Sequence, residues 1–284
     1  MFEGPDDEKD DDEIASPHVS RPISFLAAAA WTIAIGLILP LAISITEGAR
    51  PGAAVDSVNL TACIVLAYSV LVFGILRVYA PHASVRDVLG VRPASPVASL
   101  LAILAGAALI PALSVIDDFM AKRFPLAPEE LERLEKMMTT TTIAQRVVLI
   151  VGFGVVVPLA EELFFRGALF SGLRRGRAEG IAVLVCAAFQ ALSHLDQRSL
   201  LTTLVVGLFA SWLRGRSGSV VPSALAIVTY NAVQVMAEVM GKGDVTFGPR
   251  IAVGSAVAAA VFTWGAGMIF ASDSRAERGR LLDA

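Results

Sequence analysis

The chain has 284 residues, of which 55% are hydrophobic and only 17% charged. Soluble domains carry nearer a quarter charged residues and break their apolar runs every few positions, so an ordinary soluble protein is excluded. The formal net charge of -3 conceals an asymmetry, because residues 1–13 hold eight acids against one base, Lys9, and the rest of the chain is net basic.

In chain order, residues 1–22 read as an acidic, disordered cytoplasmic tail with no apolar periodicity. Its sign is wrong for a nucleic-acid arm, and no nucleic acid is expected as a partner. The first apolar run, Ile23 to Ile45, follows acids instead of bases and is long enough to cross a bilayer, unlike a cleaved signal peptide. Further runs follow near 57–79, 97–116, 142–162, 180–195, 199–214, 219–240 and 249–271, the fifth and sixth being short. Backbone amides in lipid must be satisfied within each segment, and the alternating pattern of a membrane barrel is absent. The expectation is an all-α, polytopic integral membrane protein with about eight transmembrane helices over 23–271 and a short cytoplasmic tail at 272–284.

Membrane lipid is therefore an expected partner. With the N-terminus inside, the cytoplasmic segments hold thirteen Lys and Arg against eight outside, which places both termini in the cytoplasm of a cell-membrane protein. Between the third and fourth runs, PEELERLEKMM sets Leu131, Leu134, Met137 and Met138 on one helical face and Glu129–Arg133 and Glu132–Lys136 at i,i+4. It reads as a helix on the membrane surface. Cys63 and Cys186 lie in apolar runs and support neither a disulfide framework nor a cysteine metal site.

Ionisable side chains at membrane depth cost several kcal/mol unless they meet a partner or water, and three places stand out. In VVVPLAEELFFRGALF, Glu162 and Arg166 share a helix face and can pair, while Glu161 lies about 100° round and is free to face a cavity. In CAAFQALSHLDQ, His194 can hold a water beside a carboxylate. In PSALAIVTYNAVQVMAEV, Asn231, Gln234 and Glu238 share one stripe, and the Asn231 amide can donate to a developing oxyanion. Each has a plainer reading alone: a structural clamp for Glu162–Arg166, helix-packing glue for His194 or Asn231, interfacial exposure for Glu238. Three separate spans delivering catalytic-type residues favour a shared site.

At these residues the sequence resembles the CAAX-protease and bacteriocin-processing family of intramembrane proteases, which includes Rce1-like prenyl-protein endopeptidases and Abi-type proteins. The likeness runs through about residues 140–240. The first family motif, Glu-Glu-x-x-x-Arg, is met by Glu161, Glu162 and Arg166, with Phe165 before the arginine and Gly167 after it. The second, Phe-x-x-x-His, is met at His194, with Gln190 at the aromatic position and Phe189 one residue early. The third, His-x-x-x-Asn, is met at Asn231, with Ile227 in place of the histidine.

The resemblance implies that Glu161 is the general base on a water, helped by His194, that Asn231 serves the oxyanion, and that Arg166 orients Glu162. Family members have been discussed both as metalloproteases and as glutamate proteases. Here a His/His/Glu zinc site lacks its second histidine, so neither a metal nor another cofactor is expected. The expected function is an endopeptidase acting on a membrane-associated peptide or protein substrate. The alternative is a catalytically impaired member that acts as a membrane binding or immunity-type protein, because Ile227 removes a donor. A transporter would show inverted repeats, and none is evident. Four lysines against nineteen arginines point to a GC-rich prokaryotic genome and away from classical prenyl-protein processing.

Overall fold

A computed structural model describes residues 21–241 and 247–282, with side chains placed as far as Phe270. The expected acidic tail lies almost wholly outside the described residues. Among those residues the fold is all-α with no strand.

Helix α1 spans Phe25–Ala49, capped by Ser24, whose Oγ accepts from the Ala27 N–H at 3.1 Å. Helix α2, Ser57–Tyr79, is capped by Asp56, which accepts from the N–H groups of Val58 and Asn59. These caps satisfy amides that would otherwise end unpaired. The short α3, Val85–Leu89, leads to α4, Pro96–Arg123, and the exposed α5, Pro128–Met138. Then come α6, Ile143–Arg175, α7, Glu179–Ser193, α8, Leu200–Ser217, α9, Val220–Val239, and α10, Pro249–Leu282.

All eight expected runs are helical. Six helices, α1, α2, α4, α6, α9 and α10 as far as Phe270, are long and apolar enough to cross a membrane. The two expected as short, α7 and α8, fall below that measure. Two helices outrun their apolar stretches: α4 continues past 116 to Arg123, and α6 continues through the Glu-Glu-Arg segment to Arg175. The chain expected as a tail from 272 continues α10 to Leu282. In α5, Glu132 pairs with Lys136 at 2.7 Å, whereas Arg133 reaches the Ala54 carbonyl instead of Glu129.

The surface is inverted relative to a soluble domain. Leu26, Leu37, Phe73, Val261 and Trp264 face outward, which is stable only against lipid. The interior gathers Phe164, Phe165, Leu169 and Phe170 of α6 against Tyr68, Leu71 and Ile75 of α2. Helix ends meet at one end of the bundle, where the Arg21 N–H donates to the Tyr79 carbonyl and Ile23 N–H to that of Gly172. At the same end Val220 N–H donates to the Gly90 carbonyl, and Arg174 Nη1 to that of Gly215.

Candidate active site

Helix α6 is continuous but not uniformly wound. Gly152–Val156 and Leu163–Leu169 are π-helical on either side of the α-helical Val157–Glu162. Pro158 has no N–H to give the carbonyl of residue 154, and its ring would crowd that carbonyl in a regular helix. The wider turn, in which Val157 N–H donates to the Gly152 carbonyl, absorbs the mismatch. Gly154 sits against α9 so closely that a Cβ there would lie 2.8 Å from Ala232 Cα. Only glycine allows this crossing, which sets Glu161 of α6 and Asn231 of α9 on the wall of one cavity.

A cavity of about 600 Å³ opens between α4, α6, α7, α8 and α9. Glu161, His194 and Asn231 all line it, together with Gln190, Ile227 and Gln234. His194 is the residue that ends α7, and the turn after it carries Leu195 at φ 52°, a left-handed conformation unusual for a branched residue. Tyr68 of α2 donates its hydroxyl to Glu161 Oε1 at 3.5 Å. Asn231 Nδ2 donates to the Ile227 carbonyl at 2.8 Å, which commits one of its two N–H bonds and leaves the other. Ile227 is 2% exposed and forms apolar wall where the resemblance places a histidine. Glu238 points away, exposed, outside the cavity.

Glu162 and Arg166 stand behind the cavity instead of in its wall. Both are 0% exposed, and Glu162 Oε1 lies 2.9 Å from Arg166 Nη1. Arg166 Nη2 also donates to the Gly207 carbonyl of α8 at 3.0 Å. Gly207 is hemmed in by Ala187 of α7, so its bare backbone carbonyl can approach the guanidinium. Arg214 closes the arrangement by donating Nε to the Arg166 carbonyl and Nη2 to Ser171 Oγ. The pair therefore locks the turn that presents Glu161.

Several cavity residues escape sequence reasoning. Asp117 of α4 accepts a hydrogen bond from Thr202 Oγ1 of α8. It lies one residue beyond the apolar run 97–116, so the sequence pattern does not mark it as a residue at depth. Gln190 is 3% exposed, and its Oε1 has no hydrogen-bond partner although it lines the cavity. A buried amide in an apolar helix was the available signal there. Tyr68 carries no signal beyond being a phenol in an apolar helix. Among the described residues no three His, Cys, Asp or Glu side chains come together as metal ligands.

Residues 143–233 match the family model described as type II CAAX prenyl endopeptidase Rce1-like. The matched segment runs from the start of α6 into α9 and contains Glu161, Glu162, Arg166, His194 and Asn231. No curated protein and no solved structure matches the chain.

Proposed function

We propose, from the premise that residues 143–233 of this membrane protein are an Rce1-like domain, that the chain is an intramembrane endopeptidase in which Glu161 activates the attacking water. The family match supports a protease-type function; the convergence of Glu161, His194 and Asn231 on one cavity carries the finer reading. The Glu161 carboxylate takes a proton from the water as the water oxygen bonds to the scissile carbonyl carbon. His194 holds that water. The free N–H of Asn231 donates to the carbonyl oxygen as it becomes an oxyanion. Glu161 then passes the proton to the leaving nitrogen as the C–N bond breaks. Tyr68 orients the Glu161 carboxylate, and Glu162–Arg166 is the clamp behind it. The reading needs no metal. It places the protein in the cell membrane with both termini in the cytoplasm and a membrane-associated peptide or protein as substrate.

The test is cleavage of a quenched-fluorescent peptide library by the protein reconstituted in liposomes. Glu161→Ala and His194→Ala are each expected to lower turnover by about 10² or more, the scale of a lost acid–base group. Wild-type turnover in both variants overturns the mechanism. Ile227→His adds a donor to the cavity wall and is expected to raise the rate, since one oxyanion donor is worth about 10²–10³.

The apolar wall at Ile227 favours a second reading, a catalytically impaired member that binds a membrane partner. Partner capture undiminished in Glu161→Gln, with no peptide of the library cut, would select it.

A further inference from the structure

We infer that Gln190 is a second oxyanion donor of the cavity: its side-chain amide donates, beside Asn231, to the oxygen of the scissile carbonyl, a part for which the apolar Ile227 has no group. The inference rests on the endopeptidase reading and adds to it a catalytic residue on α7.

The chain departs from the motifs it otherwise meets at Gln190 and at Ile227, and both residues lie in the wall of one cavity. Where the resemblance places a histidine, Ile227 offers no hydrogen-bond donor; where it places an aromatic ring, Gln190 offers an amide with two N–H bonds. A polar group is lost on α9 and one is gained on α7 within the same enclosure. Gln190 stands four residues before His194, on the same face of α7 and one turn deeper: His194 is exposed at the end of the helix, whereas Gln190 is 3% exposed. The face of α7 that presents His194 therefore presents an amide one turn further in.

That amide is held in place but not satisfied. Its Oε1 is buried and has no hydrogen-bond partner. The atom lies against Gly207 of α8, where a Cβ would stand 3.1 Å from it, and the Gly207 carbonyl is already taken by Arg166. With Oε1 turned to α8, the Nε2 end is what the amide offers the cavity. A buried amide with open bonds is costly, and a leucine of similar size would fill the space without that cost. A ligand that meets the amide offsets it, and the developing oxyanion is such a ligand. As the water oxygen bonds to the carbonyl carbon, the π pair moves onto the carbonyl oxygen, and the N–H groups of Asn231 and Gln190 both donate to it. When the C–N bond breaks, the pair returns to the carbonyl and the leaving nitrogen takes the proton from Glu161.

Cleavage kinetics of the full chain in liposomes, on peptides of the quenched-fluorescent library, together with thermal unfolding of the same proteins in detergent, separate this role from a structural one. Gln190→Leu is expected to lower kcat by about 10²–10³ with KM little changed, and to unfold at the wild-type temperature or above it. Gln190→Met, of the same length and also without a donor, is expected to do the same, so that one poorly folding variant does not stand in for loss of the donor. A packing role predicts the opposite, and a lower unfolding temperature in both variants overturns the inference. Ile227→His puts a donor back on the facing wall. It is expected to raise kcat by about ten-fold or more in the Gln190→Leu background and by a smaller factor in the wild type, because the two donors serve one oxygen. Equal factors in the two backgrounds, or a Gln190→Leu kcat within about three-fold of wild type, overturn the inference and leave the protease reading intact. Glu161→Gln is the blank. A wild-type chain that cuts no peptide overturns the endopeptidase reading, and the role of Gln190 with it.

Discussion

Arg166 is the largest side chain that the fold buries completely, and the energetics of the site turn on it. A buried ion pair returns little net stability, but removing one partner strands the other charge. Arg166→Met should therefore cost about 3–5 kcal/mol, whereas Glu162→Leu combined with Arg166→Met should recover most of that loss. Thermal unfolding of the purified protein in detergent would show it, and a double variant as unstable as the single one would contradict it. The combined variant should still lose activity if the pair positions Glu161. At this scale the sequence was legible wherever a charge interrupts an apolar run, which is how Glu161, Glu162, Arg166 and His194 declared themselves. Asp117 and Tyr68 were not, because the pairing of Asp117 with Thr202 and of Tyr68 with Glu161 is a product of helix crossing, and single-chain spacing carries no crossing angle.

Elements were legible in their existence and less so in their ends. The apolar runs 97–116 and 142–162 give way to charged residues, yet the chain stays helical beyond both, and there the charges are met inside, Asp117 by Thr202 and Glu162 by Arg166. The π-turns around Glu161 were hidden for a related reason: Pro158 shows that a regular helix must yield, but not whether it breaks or widens. Close contact between α6 and α9 at Gly154 gives a direct prediction. Gly154→Ala forces its Cβ toward the Ala232 backbone and should cost about 1–3 kcal/mol of overpacking, with loss of cleavage. Gly254→Ala, where a Cβ meets open space on α10, should lose neither, and unfolding and activity measured on the pair would separate packing from substitution itself. The cap of α2 is sensitive to pH. The Asn59 N–H, with help from the Arg50 guanidinium at 2.6 Å, holds the Asp56 carboxyl below its ordinary range. Its charge-dependent stabilisation is complete above the unfolded value and disappears as pH falls through the lower folded one, so wild type and Asp56→Asn should differ near neutrality and converge below about pH 4. A constant difference across that range, followed by thermal unfolding, would contradict it.

On the scale of the whole molecule, two of the helices that wall the cavity, α7 and α8, are the shortest of the bundle's long elements. Helix α7 has 15 residues, a rise of about 22 Å against roughly 30 Å of hydrocarbon, while α4 has 28 residues and reaches well beyond it. Because α7 starts at the end of the bundle where Arg174 reaches the Gly215 carbonyl, a bilayer of that thickness would leave its other terminus, and the polar turn from His194 to Arg198 that follows it, short of the opposite surface. Such a shortfall is relieved by thinning the bilayer or by admitting water, and each relief serves a site that must deliver water to Glu161. Bilayer thickness should therefore govern activity more than stability. Reconstituted in phosphatidylcholines of increasing chain length, the protein is expected to cleave more slowly as the hydrocarbon thickens, while its unfolding temperature, set by the longer helices and the α6 interior, shifts far less. Rates that stay flat across the series, or that fall only in step with unfolding, would show that the short wall of the cavity has no part in bringing water and substrate to the site.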